Sequence, residues 1–368
     1  MPPSAKTVRV VCLSPYPDDG PSVRHRVALY GPLWAEQGVR LHLFAFATRR
    51  LYKIRRRFGW RWTLEKALWM AFCTVRLALR LPLLARYDVV IIHREVFPLG
   101  PMVFERLAAW MNPRIVFDFD DAIWTPPSNS VNQRAFLWNS RRVPGVIARA
   151  RHVVAGNRFL GDYARRHNSC VTIIPTPYED LPPKAARGSA TLPVVVWIGN
   201  LGNAWYVGER MRALERAAAV APFVLRLIGG DDLAEIRSDV LQIDRRPWSA
   251  AEEHALGEAD IGIMPVPDLD YEKGKCGFKI VQYWSAGIAV IASPVGVNAT
   301  MISHGRDGFL AETDDEWERA LVACLSDEGL RAEIAAAGRD TFVAKYTRSI
   351  AAAAWSQVFS RMLSAEAA

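Results

Sequence analysis

The first half of the chain alternates short apolar runs with stretches of helical period. "VRVVCL" near the amino terminus, "RLHLFAF" (40–46), "DVVIIH" (88–93), "RIVFDF" (114–119), "HVVAG" (152–156) and "VTIIP" (171–175) read as strands. "SVRHRVALYGPLWAEQG" (22–38) reads as a helix closed by glycine. Strands that are apolar throughout and separated by helices predict a parallel sheet covered on both faces. Residues 175–193, rich in proline and small polar side chains, then read as a linker. Beyond it the alternation restarts with "VVVWIG" (194–199), a helix over 205–220, "FVLRLIGG" (223–230) and "ADIGIMPV" (259–266). In "GKCGFKIVQYWSAGIAVIASPVG" (274–296) a helix spans Phe278 to Ala286, Gly287 closes it, and "AVIAS" is a short buried strand.

The pattern predicts an α/β chain of two Rossmann-like, doubly wound domains, 1–176 and 194–346, facing one cleft and joined by a linker over 177–193. Neither half carries GxGxxG, which weakens a dinucleotide reading.

Composition adds little except in its charge. With 51% hydrophobic and 23% charged residues in 368, the chain is globular and long enough for two cores. Five scattered cysteines without CxxC spacing indicate neither a disulfide framework nor zinc, so a reducing cytoplasm is expected. The amino terminus enters a strand pattern with no apolar signal-peptide core. The net charge of +8 is uneven: residues 49–86 hold eleven Lys or Arg and one acidic residue, Glu65, so the rest of the chain is slightly acidic.

The candidate chemistry centres on Lys279. A lysine in the first turn of a helix opposes the macrodipole, whose positive end already lies there. Gly274 and Gly277 permit close backbone approach, the helix start offers N–H groups, and Lys279 adds a full charge. Together they make a phosphate site, although a snorkelling surface lysine remains the plain alternative.

Here the sequence resembles the group 1 glycosyltransferases (glycosyltransferase family 4). The resemblance lies in "GFKIVQYWSAGIAVIASPVGVNATMI", "GRDGFLAETDDEWERAL" and "LRAEIAAAGRD". Upstream it extends through "WIGN", "ADIGIMPV", "GNRFLGDYARRHNSCVTIIPTP" and "FDFDDAIW" to "GPSVRHRVALYGPLW". It implies the GT-B fold, a nucleotide-sugar donor in the C-terminal half, and metal-independent transfer with retention. The final segment 347–368 would then be a helix packed back on the N-terminal domain. Lys279 would neutralise the donor diphosphate, within a donor site of Gly199, Asn200, Trp248, Glu272, Lys275, Gly277, Phe278, Lys279 and Gln282. One departure stands out. The family places glutamates where this chain has Gly274 and Gln282, so Gln282 would contact ribose without charge, with Glu272 a substitute carboxylate. Asn200 and Asn203 replace an arginine–lysine pair common in the family.

The remaining candidates lie in the first half. "FDFDDAIW" places Asp120 and Asp121 at a strand end, as caps or as carboxylates stabilising an oxocarbenium-like centre. Asp118-Phe-Asp120 also matches the short D-x-D pattern that binds metal in other glycosyltransferases, but no metal or cofactor is expected. His93 ends another strand and would orient a hydroxyl or move a proton. In "DDGPSVRHR", Gly20, Arg24 and Arg26 offer a contact to acceptor or donor phosphate.

The basic segment 49–86 begins with Arg55, Arg56, Arg57, Trp60 and Trp62. It continues as an amphipathic helix whose stripe is Leu64, Leu68, Phe72, Val75 and Leu79. A core-facing helix and an interfacial helix on an anionic inner leaflet both fit; nothing resembles a nucleic-acid module. The expected protein is a cytoplasmic, peripherally membrane-bound glycosyltransferase. It would move a sugar from a nucleotide-diphosphate donor to a glycan or lipid-linked hydroxyl acceptor of surface-polysaccharide synthesis. Two rivals stay open: a nucleotide-sugar epimerase on the same fold and a non-catalytic membrane scaffold.

Overall fold

The computed structural model describes residues 7–55, 57, 59–97, 102–125, 128, 142–182, 192–199, 201–229, 233 and 235–364. Among these residues, twelve strands form two six-stranded sheets, and every pairing within them is parallel. The first sheet contains β1 (Val8–Ser14), β2 (Val39–Ala45), β3 (Val89–His93), β4 (Ile115–Phe119), β5 (His152–Ala155) and β6 (Val171–Ile173) in the order β2-β1-β3-β4-β5-β6. The second contains β7 (Val194–Ile198), β8 (Val224–Gly229), β9 (Gln242–Pro247), β10 (Ile261–Met264), β11 (Ala289–Ala292) and β12 (Phe309–Leu310) in the order β12-β11-β10-β7-β8-β9. Strands β3, β4, β7 and β10 are buried at every position, which is why their sequences are unbroken apolar runs.

Strand order reverses between β1 and β3 in the first sheet and between β7 and β10 in the second. In such sheets the reversal opens a crevice beyond the carboxyl ends of the strands, where ligands bind. His93 closes β3, and Gly199 follows β7.

The chain divides into two units. One carries the first sheet and the helix Arg348–Ser364; the other carries Pro177–Thr347 together with Ser128. The Arg348–Ser364 helix belongs to the first core because Trp355 and Phe359 meet Trp34 edge-on, with ring centroids 5.9 and 5.0 Å apart. All five cysteines are free thiols.

Two helices differ from the sequence reading. Residues 22–38 form Pro21–Arg26, a 3-10 turn Ala28–Tyr30 and a second helix Gly31–Glu36. Val27 leaves helical geometry at φ −137°, and Pro32 has no N–H with which to continue a helix through this point. Residues 205–220 likewise split into Trp205–Gly208 and Met211–Val220, because Gly208 is a poor helix former and Arg210 takes φ −105° and ψ 6°.

Candidate active site

In the first unit, register builds the site. His93 pairs directly with Asp118 across β3 and β4, so the two side chains meet at the carboxyl edge. His93 Nδ1 lies 2.7 Å from Asp118 Oδ2, and both residues are fully buried. The Arg26 guanidinium binds the other oxygen of Asp118 and donates to the Ile174 carbonyl at 2.5 Å. On the far side of the imidazole, Nε2 lies 2.7 Å from Ser22 Oγ, and that hydroxyl donates to Asp120 Oδ2 at 2.6 Å.

Ser22 thus joins the His93 imidazole to Asp120, while Asp118 holds the ring from its other nitrogen.

Burial pushes the Asp118 carboxyl up, but the Arg26 charge and the His93 hydrogen bond outweigh it and leave the group below its ordinary value. For Asp120 burial is again outweighed, here by the charges of Arg94, His93 and Arg26 and by the Ser22 hydrogen bond. Both stay ionised near neutrality.

Arg94 is the one non-glycine among the described residues at positive φ, 63°. That backbone position is strained for an arginine. It is fixed by Arg94 N–H donating to the Asp118 carbonyl at 2.8 Å, and its guanidinium reaches Asp121 Oδ2 at 2.7 Å and Asp120 Oδ1 at 3.3 Å. Asp120 and Asp121 keep some solvent contact, whereas Asp118 has none.

Three placements correct or extend the sequence reading. Arg26 is sealed inside and committed to Asp118 and Ile174, so it does not present its charge to a phosphate. Asp118 is turned onto Arg26 and His93, so Asp118-Phe-Asp120 does not offer two open carboxylates to a metal. Ser22, which joins His93 to Asp120, carried no signal in sequence because a serine in a helix-start loop is ordinary. Gly20 caps the helix Pro21–Arg26, and Arg24 is half-buried on it.

In the second unit, Gly277 starts the helix Phe278–Ser285 in the left-handed region at φ 65°, with no side chain capping it. A Cβ on Gly277 would come within 2.4 Å of Met301 Sδ, so both conformation and space require glycine. Lys279 is half-buried in the first turn, with Nζ 5.5 Å from the centroid of the Trp197 ring on β7. Lys275 stands on the other side of Gly277, its Nζ 3.4 Å from Asn203 Oδ1 and over the rings of Tyr271 and Tyr206 at 5.2 and 5.6 Å. Two ammonium groups thus flank one uncapped helix start, near the loop that follows β7. Phe278 packs edge-on against Tyr178, 5.6 Å between centroids.

The two carboxylate questions resolve differently from expectation. Glu272 points inward, buried, accepting from Tyr206 Oη at 2.7 Å and Ser128 Oγ at 2.5 Å, so both oxygens are already occupied and it is a poor substitute contact for a sugar. Gln282 is buried too, and its amide donates to Glu253 Oε1 at 2.9 Å. A carboxylate therefore stands one hydrogen bond from position 282, supplied by the helix Ala250–His254. Sequence spacing gave no hint of it, because the partners are 29 positions apart. Trp248 is 49% exposed and donates its backbone N–H to the Gly229 carbonyl, so it is not a core residue. Gly199 follows β7, where a Cβ would meet the Trp197 ring at 2.5 Å. Asn200 and Arg56 lie outside the described residues.

In the basic segment, Trp60 is 78% exposed, Trp62 is half-buried with Arg57 5.5 Å from its ring centroid, and Arg55 and Arg57 are exposed.

Residues 192–327 match the model of the family described as glycosyl transferases group 1. No curated protein matches the sequence. Among solved structures, Alr3699/HepE of Anabaena in complex with UDP and glucose is 15% identical over 97% of this chain and 100% of its own, with a TM-score of 0.67. A glycosyltransferase from Rickettsia africae is 14% identical over 97% and 99%, TM-score 0.67. The sucrose-phosphate synthase of Thermosynechococcus elongatus is 13% identical over 97% and 100%, TM-score 0.65. At such identities the structural likeness establishes the fold. The chain has the GT-B fold, and its residues 192–327 match the group 1 glycosyltransferase model.

Proposed function

We propose that the protein transfers a sugar from a nucleotide-diphosphate donor to a hydroxyl of a glycan or lipid-linked acceptor used to build surface polysaccharide, at the cytoplasmic face of the membrane. The observation that carries the reading is the pair of lysines, Lys275 and Lys279, flanking the uncapped start of the helix Phe278–Ser285. Two cations at a helix start fit a diphosphate, whose negative charge grows as it leaves. The UDP in the Anabaena HepE complex is consistent with a nucleoside diphosphate here.

In the reaction the bond from sugar C1 to the diphosphate oxygen breaks and its electron pair stays with the diphosphate. The acceptor oxygen bonds to C1 with retention, and its proton passes to the departing diphosphate oxygen. The two ammonium groups take the charge of the leaving group, so the scheme calls on no metal. Glu253 accepts from the Gln282 amide and fixes that side chain within the helix Phe278–Ser285. Within the first unit, Arg94 and the His93–Ser22 link hold Asp120 and Asp121 as carboxylates beyond the end of β4, the kind of group that favours positive charge on a sugar carbon.

The test is a panel of nucleotide sugars and free nucleoside diphosphates, read as thermal shifts. One nucleotide class should raise the melting temperature, and Lys279→Ala should remove most of the rise. No stabilisation by any member of the panel would sink the reading.

A further inference from the structure

The helix Trp60–Arg80 turns an apolar face outward. Trp60, Leu64, Leu68, Phe72, Val75 and Leu79 are all more than half exposed, up to 78%. At 100° per residue these six fall within an arc of about 120°. The buried residues of the helix, Cys73 and Leu77, occupy the opposite side. The core-facing reading of this stripe therefore fails.

By length and composition alone, Trp60–Arg86 is apolar enough to cross a bilayer. Its inner side prevents that. Arg76 donates to the carbonyls of Ala45 and Phe46 at 2.8 and 2.6 Å, and Arg80 lies 5.0 Å from the centroid of the Phe44 ring. The helix is thus fastened along edge strand β2, and only its outer face is available to a partner.

Those contacts also orient it. Ala45 is the last residue of β2, and after Arg80 the chain returns toward the start of β3. The turns before Arg76 consequently run on the carboxyl side of the first sheet, the side that carries His93, Asp120 and Asp121. The preceding helix Arg49–Ile54 is tied to the same side by Arg49, 3.0 Å from Asp18 in the β1 loop. Lys53, Arg55, Arg57 and Arg61 are exposed there.

We propose that this face docks on an anionic bilayer, with the Trp60–Arg80 helix lying in the interface and the Lys53–Arg61 cations on lipid headgroups. Charge selects the occupant. Residues 49–86 hold eleven cations and one carboxylate, Glu65, which is already paired with Arg50 at 2.6 Å. A second copy bound face to face would bring like charges together, whereas an anionic surface complements them. A helix of this kind seats its apolar arc at the headgroup–acyl boundary. Docked this way, the carboxyl edge of the first sheet faces acceptors held in the same membrane. The inference shares the lipid-linked acceptor and the membrane location with the proposed function, and its test uses neither donor nor turnover.

The full chain is sedimented with phosphatidylcholine vesicles with and without phosphatidylglycerol, at rising salt. Parent protein should pellet with the anionic vesicles and release as salt rises. Leu68→Asn with Phe72→Asn, and separately Arg57→Gln with Arg61→Gln, should each weaken partitioning by about tenfold or more. None of these substitutions replaces Cys73, Arg76, Leu77 or Arg80; Phe72→Asn does remove a ring 5.9 Å from Arg76, whose bonds to Ala45 and Phe46 remain, and circular dichroism is used to check that the helix is retained. Vesicle binding without nucleotide-sugar binding would support this inference and sink the functional one. Absence of parent binding, parent-level binding by both variants, or a solution dimer lost on Leu68→Asn/Phe72→Asn would overturn it.

Discussion

Lys275 Nζ lies 3.4 Å from Asn203 Oδ1. The loop after β7 has asparagine where related sequences are expected to place a cation, and a lysine from the turn before Gly277 stands at that asparagine instead. If Lys275 and Lys279 share the diphosphate, each single alanine variant should weaken donor binding. Lys279→Ala should cost about 2–4 kcal/mol of transition-state stabilisation, the scale of deleting one pre-organised electrostatic donor. Turnover and melting temperature are measured together; near-parental turnover in a folded Lys279→Ala protein contradicts the assignment.

Gln282 and Glu253 form a buried amide–carboxylate pair at 2.9 Å. Gln282→Glu would place two carboxylates in contact away from water, and one would have to be neutralised or displaced. The variant should lose about 3 kcal/mol of stability or more, and the exchange Gln282→Glu/Glu253→Gln should recover most of it. Chemical denaturation of the four proteins in the cycle checks this. An unchanged midpoint for Gln282→Glu would show that the pair is not energetically coupled.

Asp118 and Asp120 should separate in their effects. Asp118→Asn leaves Arg26 buried without its carboxylate, so stability should fall by about 3–5 kcal/mol. Asp120→Asn keeps a side chain that can still accept from Ser22, so the fold should survive while turnover drops. Equal melting losses in both variants would make Asp120 a structural residue.

His25 gives the acid side of the stability profile. Burial, with the Arg24 charge adding to it, lowers its pKa from 6.5 to about 3. Below 6.5 the unfolded chain takes up a proton that the native protein refuses, so stability falls as pH drops toward 3. The contribution approaches about 1.4 kcal/mol per pH unit within that window. Asp118 and Asp120, held below 3.8, add losses of the same sign only at lower pH. His25→Gln should flatten the dependence between pH 6 and pH 4; an unaltered slope contradicts the assignment.

The sheets were legible because strands such as "DVVIIH" and "RIVFDF" are buried on both faces and so carry no polar interruption. The stripe Leu64–Leu79 was legible as a stripe, but periodicity does not say which way a stripe faces, and here it faces out. What sequence hides is pairing at a distance. Arg26 reads as a surface charge until Asp118, 92 positions later, is seen to bury it. Glu253 and Ser22 were invisible for the same reason: their roles exist only once separate strands and helices bring Gln282 and His93 to them.

The central claim is sugar transfer by this chain, and radiolabelled donor follows it most directly. The nucleotide sugar that most raises the melting temperature is incubated with the protein and anionic vesicles carrying extracted lipid-linked glycans. The account predicts acceptor-dependent release of nucleoside diphosphate with label entering the lipid fraction, both greatly reduced in Lys279→Ala. Donor consumption that ignores the acceptor, or transfer undiminished in Lys279→Ala, would contradict it.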